Sequence, residues 1–203
     1  MAMILNDKIK TYSVVLASGS PRRIELLKGM GIDFSVHKLD VDESHPDELK
    51  AADIALYLSK KKSAAFPENE IKQNTIVITA DTIVWQNEQA LEKPVNTEHA
   101  VEMLQKLSGT HHEVFTGVTL RSKNKIHSFF NRSKVWFREL NIEEIEYYIQ
   151  TCKPFDKAGS YGIQEWIGYV AIERIEGSWF NVMGLPTRML YQELEKFIDT
   201  QNF

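Results

Sequence analysis

The run Ile76-Val77-Ile78-Thr79-Ala80-Asp81-Thr82-Ile83-Val84-Trp85 constrains the fold more than any other stretch of this chain. Its apolar, largely β-branched residues occupy both parities, the pattern of a strand covered on both faces, so it calls for a central position in a layered sheet. Asp81 interrupts that pattern. Burying an unpaired carboxylate is costly and Asp is a poor strand former, so a cation, a metal or a bulge must rationalise the position. The alternative is two short strands joined by an Asx-type turn.

Around this run, strand-like patterns fall at 13–17, 33–37, 113–121, 127–138 and 168–175, with 75–85 the central one. Helical spacing covers 20–30, 48–65, 97–107, 142–150 and 186–198. Strands and helices alternate early, and then two long strands form a hairpin with Ser122-Lys123-Asn124-Lys125 as its turn. The expectation is an α/β (mixed α+β) fold around one twisted, partly antiparallel sheet. With 203 residues, 43% of them hydrophobic, the chain is long enough for a sizeable core, and a single domain over 1–203 is expected.

The net charge of −4 argues against general nucleic-acid binding, which draws its affinity from an excess of Lys and Arg. Cys152 is the sole cysteine, which excludes an intrachain disulfide and a cysteine-based zinc site and fits a reducing compartment. The first residues, Met-Ala-Met-Ile-Leu-Asn-Asp-Lys, lack the apolar core of a signal peptide, and no run approaches the ~20 apolar residues of a membrane span. A cytoplasmic protein without nucleic-acid or membrane partners is therefore expected.

Residues 14–23, Val-Val-Leu-Ala-Ser-Gly-Ser-Pro-Arg-Arg, read as a strand running into a helix start. Ser20 suits the N-cap, Pro21 the first helical position, and Ile24, Leu26, Leu27 and Met30 supply an apolar face, with Gly29 and Gly31 ending the helix. Arg22 and Arg23 then stand where the free N–H groups and the macrodipole are already positive, a repulsion of ~0.3–1 kcal/mol each. An anion on the Ser18-Gly19-Ser20 turn would reverse that sign; the alternative is an ordinary capped helix with two solvated arginines. No Walker A sequence is present.

Further candidates are scattered along the chain. Asp42 and Glu43 lie in an acidic loop, and oxygen ligands of this kind suit a divalent ion such as Mg²⁺; a solvated surface is the alternative. Lys62, one of Lys60-Lys61-Lys62, and Lys93, held extended before Pro94, are candidate phosphate contacts. Residues 156–164, Asp-Lys-Ala-Gly-Ser-Tyr-Gly-Ile-Gln, pack charge and glycine into a loop suited either to a ligand or to a structural Asp–Lys pair. The Gln164 amide matches a uracil or thymine edge, and after a flip a cytosine edge. His111-His112 point to opposite faces of a strand and so do not chelate one ion; the four tryptophans read as core or interface. No Ser-His-Asp or Cys-His grouping is evident.

Together these segments resemble the Maf family of nucleoside triphosphate pyrophosphatases, in particular its dTTP/UTP subgroup. The matching stretches are Leu16–Arg23, Ala80-Asp81-Thr82, Glu92-Lys93-Pro94, Leu107-Ser108-Gly109, Asp156–Gln164 and Gly184-Leu185-Pro186, in family order. The resemblance implies an elongated, two-lobed structure around a deep cleft, commonly homodimeric, that hydrolyses dTTP and UTP to the monophosphate and pyrophosphate with a divalent cation, Mg²⁺ or Mn²⁺. It implies Asp81 as the proton acceptor, and Arg22, Thr82 and Gln164 as specificity positions. Ser18, Arg23, Glu43, Lys62, Lys93 and Lys157 match polar cleft positions, with Glu43 and Asp81 as candidate metal ligands. Two departures stand out: Glu165-Trp166-Ile167 replaces a small, glycine-rich stretch, and Lys153 replaces an acidic residue. The rival expectation is a nucleotide-binding regulator of septum formation or cell division without significant catalysis. A phosphate-releasing NTPase would need the loop motif that is missing.

Overall fold

Thr75–Gln86 forms one unbroken strand, so Asp81 sits inside a continuous ladder, paired directly with Gly117, and the Asx-turn alternative is not adopted. The computed structural model describes residues 4–200. In chain order the elements are α1 (Leu5–Lys8), β1 (Ser13–Leu16), α2 (Pro21–Gly29), β2 (Ser35–Val36), α3 (Ala52–Ala65), β3 (Thr75–Gln86), β4 (Gln89–Leu91), α4 (Thr97–Leu107), β5 (His111–Arg121), β6 (Ile126–Phe137), α5 (Ile142–Cys152), α6 (Trp166–Val170), β7 (Ile172–Glu176), α7 (Trp179–Met183) and α8 (Thr187–Asp199).

The strands make one mixed sheet in the order β2-β1-β3-β5-β6-β7, with β4 folded back on β3. β2, β1 and β3 are parallel, the β1–β2 crossover running through α2, whereas β5, β6 and β7 are antiparallel to their neighbours. The β5–β6 hairpin closes at the expected turn, where the Ser122 N–H donates to the Lys125 carbonyl at 2.8 Å. Both faces of β3 are covered. On one, Ile76, Ile78, Ala80 and Val84 join the main core with Leu104 and Leu107 of α4, Ile149 of α5 and Leu194 and Phe197 of α8. On the other, Ile83 and Trp85 pack against Ile54, Ala55 and Leu58 of α3. This double burial accounts for the continuous apolar run.

The strand expected at 33–37 shrinks to Ser35–Val36, and two further expected boundaries change. Residues 168–171 are not strand: Ile167 and Ala171 are buried one turn apart while Tyr169 between them is 82% exposed, a helical period that makes α6, and β7 starts only at Ile172, opposite the end of β6. Helix α3 begins at Ala52 rather than residue 48, because Ala51 takes a left-handed φ of 47° that ends helical continuity. The short strand β4 has no counterpart among the expected elements.

His111 and His112 do diverge, as strand geometry requires. His111 is exposed, whereas His112 is buried and shares a 2.7 Å hydrogen bond between Nε2 and the Tyr161 hydroxyl. Burial, reinforced by His111, pushes the His112 pKa down to about 3, and burial also raises that of Tyr161. The unfolded chain therefore takes up a proton below pH ~6.5 that the folded chain refuses, so stability is full above that pH and is lost as pH falls toward the folded value. Between pH 6.5 and 5 the loss is expected to approach ~1.4 kcal/mol per pH unit at its steepest. Chemical denaturation across that window tests it: the double variant His112→Phe, Tyr161→Phe should show a flatter pH dependence than the parent, and an unchanged slope would contradict the assignment.

Candidate active site

The site arises from a gap in pairing. β1 accompanies β3 only to Ile78, with one further bond from the Ala17 N–H, and β4 rejoins the same edge at Val84. The intervening edge of β3 opens into a cleft of about 1020 Å³, and Asp81, Thr82, Ile83 and Val84 all line it. Four consecutive strand residues alternate between two faces, so they share one cavity only because that cavity sits against the strand's edge. The parallel strand β1 delivers its following turn, Ala17–Ser20, to the same opening.

Asp81 is 7% exposed and points toward α3, where Lys62 meets its carboxylate. Lys62 Nζ also donates to Glu43 Oε1 at 2.8 Å, and Lys93 meets the other Glu43 oxygen. The two carboxylates thus converge on one ammonium group. Half-burial works against ionisation of Glu43, but Lys62 and Lys93 outweigh it and hold the carboxyl down at about 2. Among the lysines at 60–62, Lys62 is the one that enters the cleft; Lys61 turns outward to Asp42 at 3.0 Å.

Arg22 and Arg23 resolve their positive helix end differently from each other. Arg22 pairs with the exposed Asp156 at 3.2 Å. Arg23 is half-buried among protein acceptors: Nε donates to the Gly184 carbonyl at 2.9 Å, one terminal nitrogen donates to Thr82 Oγ1 at 3.1 Å and the other reaches Ser18 Oγ at 3.5 Å. Burial lowers its pKa, partly offset by Asp81 and Glu43. Ser20 occupies the N-cap position without a side-chain cap; its N–H instead takes Ser18 Oγ at 3.2 Å, which shapes the turn. On the far wall, Lys157 donates to Asp156 at 2.7 Å and pairs with Glu165 at 2.9 Å. Burial disfavours the Asp156 carboxylate, yet Lys157 and Arg22 together lower its pKa.

Ser18, Arg22, Arg23, Glu43, Lys62, Asp81, Thr82, Lys93 and Lys157 are therefore brought together around one opening. Gln164 is not: it lies beyond the cleft lining, with a buried Oε1 that has no hydrogen-bond partner among the described residues. Additional lining residues are Lys38, which lies over Gly19, and Asp156 and His45. Asp156 stands beside Lys157 in sequence, but nothing local signals its bridge to Arg22, 134 positions away. Among the described residues no three His, Cys, Asp or Glu side chains cluster as a preformed metal cage. The Asp81–Glu43 pair nonetheless fits a cation such as Mg²⁺, which uses one or two carboxylates together with substrate phosphates and water.

Fold and cleft define the class: a mixed-sheet α/β protein with an ion-paired cleft set against the open edge of its central strand. The chain belongs to the Maf family, since a family model described as "Maf-like protein" matches residues 13–197. A dTTP/UTP pyrophosphatase of Flavobacterium johnsoniae is 46% identical over 96% of this chain and 100% of its own length. One from Phocaeicola vulgatus is 50% identical over 94% of this chain and 98% of its own. Among solved structures, the Ham1 protein of Staphylococcus aureus aligns with a TM-score of 0.48 and 15% identity, covering 91% of this chain and 99% of that one.

Proposed function

We propose that this chain hydrolyses dTTP and UTP between the α- and β-phosphates, giving the nucleoside monophosphate and pyrophosphate. One observation carries the reading: the buried Asp81 carboxylate lining a cleft whose cations, Arg22, Lys62, Lys93 and Lys157, are held by carboxylates rather than left bare. Glu43 and Asp156 are the exposed partners in these pairs, at 43% and 61%, so an incoming triphosphate can displace them and take over their cations. The paired state keeps the cleft soluble and preorganised until that exchange.

In this scheme the Ser18–Ser20 turn offers N–H groups to phosphate at the start of α2, and Arg23, already fixed by Gly184 and Thr82, directs its remaining N–H groups there. Lys62, Lys93 and Lys157 carry the rest of the polyphosphate charge. Asp81 accepts a proton from the attacking water; the water oxygen bonds to the α-phosphorus, the α–β bridging bond breaks and pyrophosphate leaves. A divalent cation, which Asp81 and Glu43 would hold, supplies neutralisation of the developing phosphate charge. The pyrimidine preference rests on the names of the relatives, because Gln164 lies outside the cleft lining.

Incubation of the purified protein with UTP, dTTP, CTP, ATP and GTP and Mg²⁺ or Mn²⁺ tests the reading. The expected result is pyrophosphate from UTP and dTTP at rates at least ~10-fold above the purine nucleotides. Orthophosphate as the first product would exclude the α–β cleavage, and tight binding without turnover would mark a nucleotide-binding regulator instead.

A further inference from the structure

Behind the cleft wall a hydrogen-bonded chain runs outward from the core to Lys157. Tyr148 of α5 is fully buried, accepts the Gly162 N–H at 3.0 Å and donates its hydroxyl proton to Glu165 Oε2. Burial, and then the hydrogen bond to Glu165, raise the Tyr148 pKa, so its hydroxyl stays a donor. The other carboxylate oxygen, Glu165 Oε1, lies 2.9 Å from Lys157 Nζ. Gly162, whose N–H holds the Tyr148 hydroxyl, also lies against both partners: a Cβ there would come within 2.8 Å of Glu165 Cδ and 3.0 Å of Lys157 Cε, so a larger residue would shift one of these side chains from its place.

Glu165 and Asp156 both face Lys157, but they are unequal partners. The Asp156 side chain is 61% exposed and shared with Arg22, whereas that of Glu165 is 21% exposed and tied to a buried tyrosine. When a polyphosphate displaces Asp156, Glu165 is the partner that remains. A lysine carries four rotatable bonds and loses substantial side-chain entropy on being fixed, so a partner that stays in place during binding removes that cost from the binding step.

We infer that Glu165 is a positioning residue, which, locked by Tyr148 and Gly162, holds the Lys157 ammonium aimed into the cleft for the substrate's phosphates. This rests on the reading of Lys157 as a phosphate contact. The opposite effect is a brake: Glu165 would neutralise Lys157, and its removal would tighten nucleotide binding. The geometry favours positioning, because Asp156 still supplies a counter-charge when Glu165 is gone and would draw the freed ammonium outward.

The test compares the parent, Glu165→Gln, Lys157→Ala and the double variant. Readouts are steady-state UTP hydrolysis with Mg²⁺ and calorimetric binding of α,β-methylene-UTP. Glu165→Gln is expected to raise KM and the analogue Kd about five- to tenfold, with kcat held within about twofold, because uniform phosphate binding is lost. In the Lys157→Ala background the same change should cost less than about 1.5-fold. A purely structural role would give equal losses in both backgrounds, and tighter binding would establish the brake; either result overturns the inference, as does an unchanged KM. If Glu165→Gln folds poorly, Tyr148→Phe removes one hold and keeps the carboxylate, with a smaller rise of about two- to threefold that also vanishes without Lys157. Absence of pyrophosphate from the parent protein would overturn the hydrolytic reading, whereas analogue binding by the parent and the three variants still decides the coupling between Glu165 and Lys157.

Discussion

Asp81→Asn is expected to lower pyrophosphate release from UTP by about 10³-fold while changing the Kd of α,β-methylene-UTP by less than about threefold, because it removes a proton acceptor but leaves the phosphate contacts, the asparagine oxygen and the Glu43 carboxylate for a cation. Asparagine matches aspartate in shape, and the backbone of residue 81 remains paired with Gly117 in the β3–β5 ladder. Lys62 keeps Glu43 as a partner at 2.8 Å, so the substitution leaves no buried cation alone. Binding should hold for a further reason: Lys62, released from one carboxylate, is more available to phosphate. A single-turnover measurement beside the equilibrium Kd separates the two effects. Retention of more than about a tenth of the parent rate would remove Asp81 from the proton-transfer step, since general-base losses run to ~10²–10⁴.

That Asp81 was worth singling out could be read from the chain alone, because a carboxylate in the middle of a two-face apolar strand needs a partner. Which partner could not. Lys60, Lys61 and Lys62 are chemically identical, and each residue turns the helix by about 100°, so only the packing of α3 on β3 decides that Lys62 faces Asp81 and Lys61 faces Asp42. Local signals served well where the period was long: α4 falls on the expected 97–107, and the β5–β6 turn on the expected residues. They failed where geometry carried the information. The β3–β4 turn places Asn87 and Glu88 both at positive φ, 49° and 61°, a hairpin conformation whose usual glycine is absent, so β4 left little trace in the sequence. The open edge between Ile78 and Val84, which admits the cleft, follows from the short length of β1 and the early end of β4 at Leu91. Neither is a property of β3's own residues. Likewise, Tyr148 and Glu165 are ordinary residues in a helix and a loop until tertiary folding brings them to Lys157.

Gly117→Ala is expected to be among the most destabilising single substitutions in the molecule, although it adds only one methyl group. Gly117 stands opposite Asp81 in the ladder, where α3 crosses so closely that a Cβ would overlap the Ala55 carbonyl and lie 2.7 Å from the Leu56 nitrogen. Both obstacles are backbone, so no side-chain rotation relieves them; either the strand bends or the helix lifts. Lifting α3 separates Ile54, Ala55 and Leu58 from Ile83, Trp85 and Phe115, which together form the smaller core on that face. Overpacking against backbone of this kind should cost ~3 kcal/mol, or a Tm lowered by about 6–12 °C for a chain of this size. The consequence reaches the site, because the helix that must move also carries Lys62 to Asp81. At a temperature where the variant remains folded, kcat/KM for UTP should therefore fall by about tenfold, a misplacement effect distinct from unfolding. Differential scanning calorimetry and hydrolysis measured at 15 °C separate these two losses. A variant with parental Tm would show that α3 does not approach β5 this closely in solution. One with lowered Tm but parental kcat/KM would show that Lys62 reaches Asp81 independently of that contact.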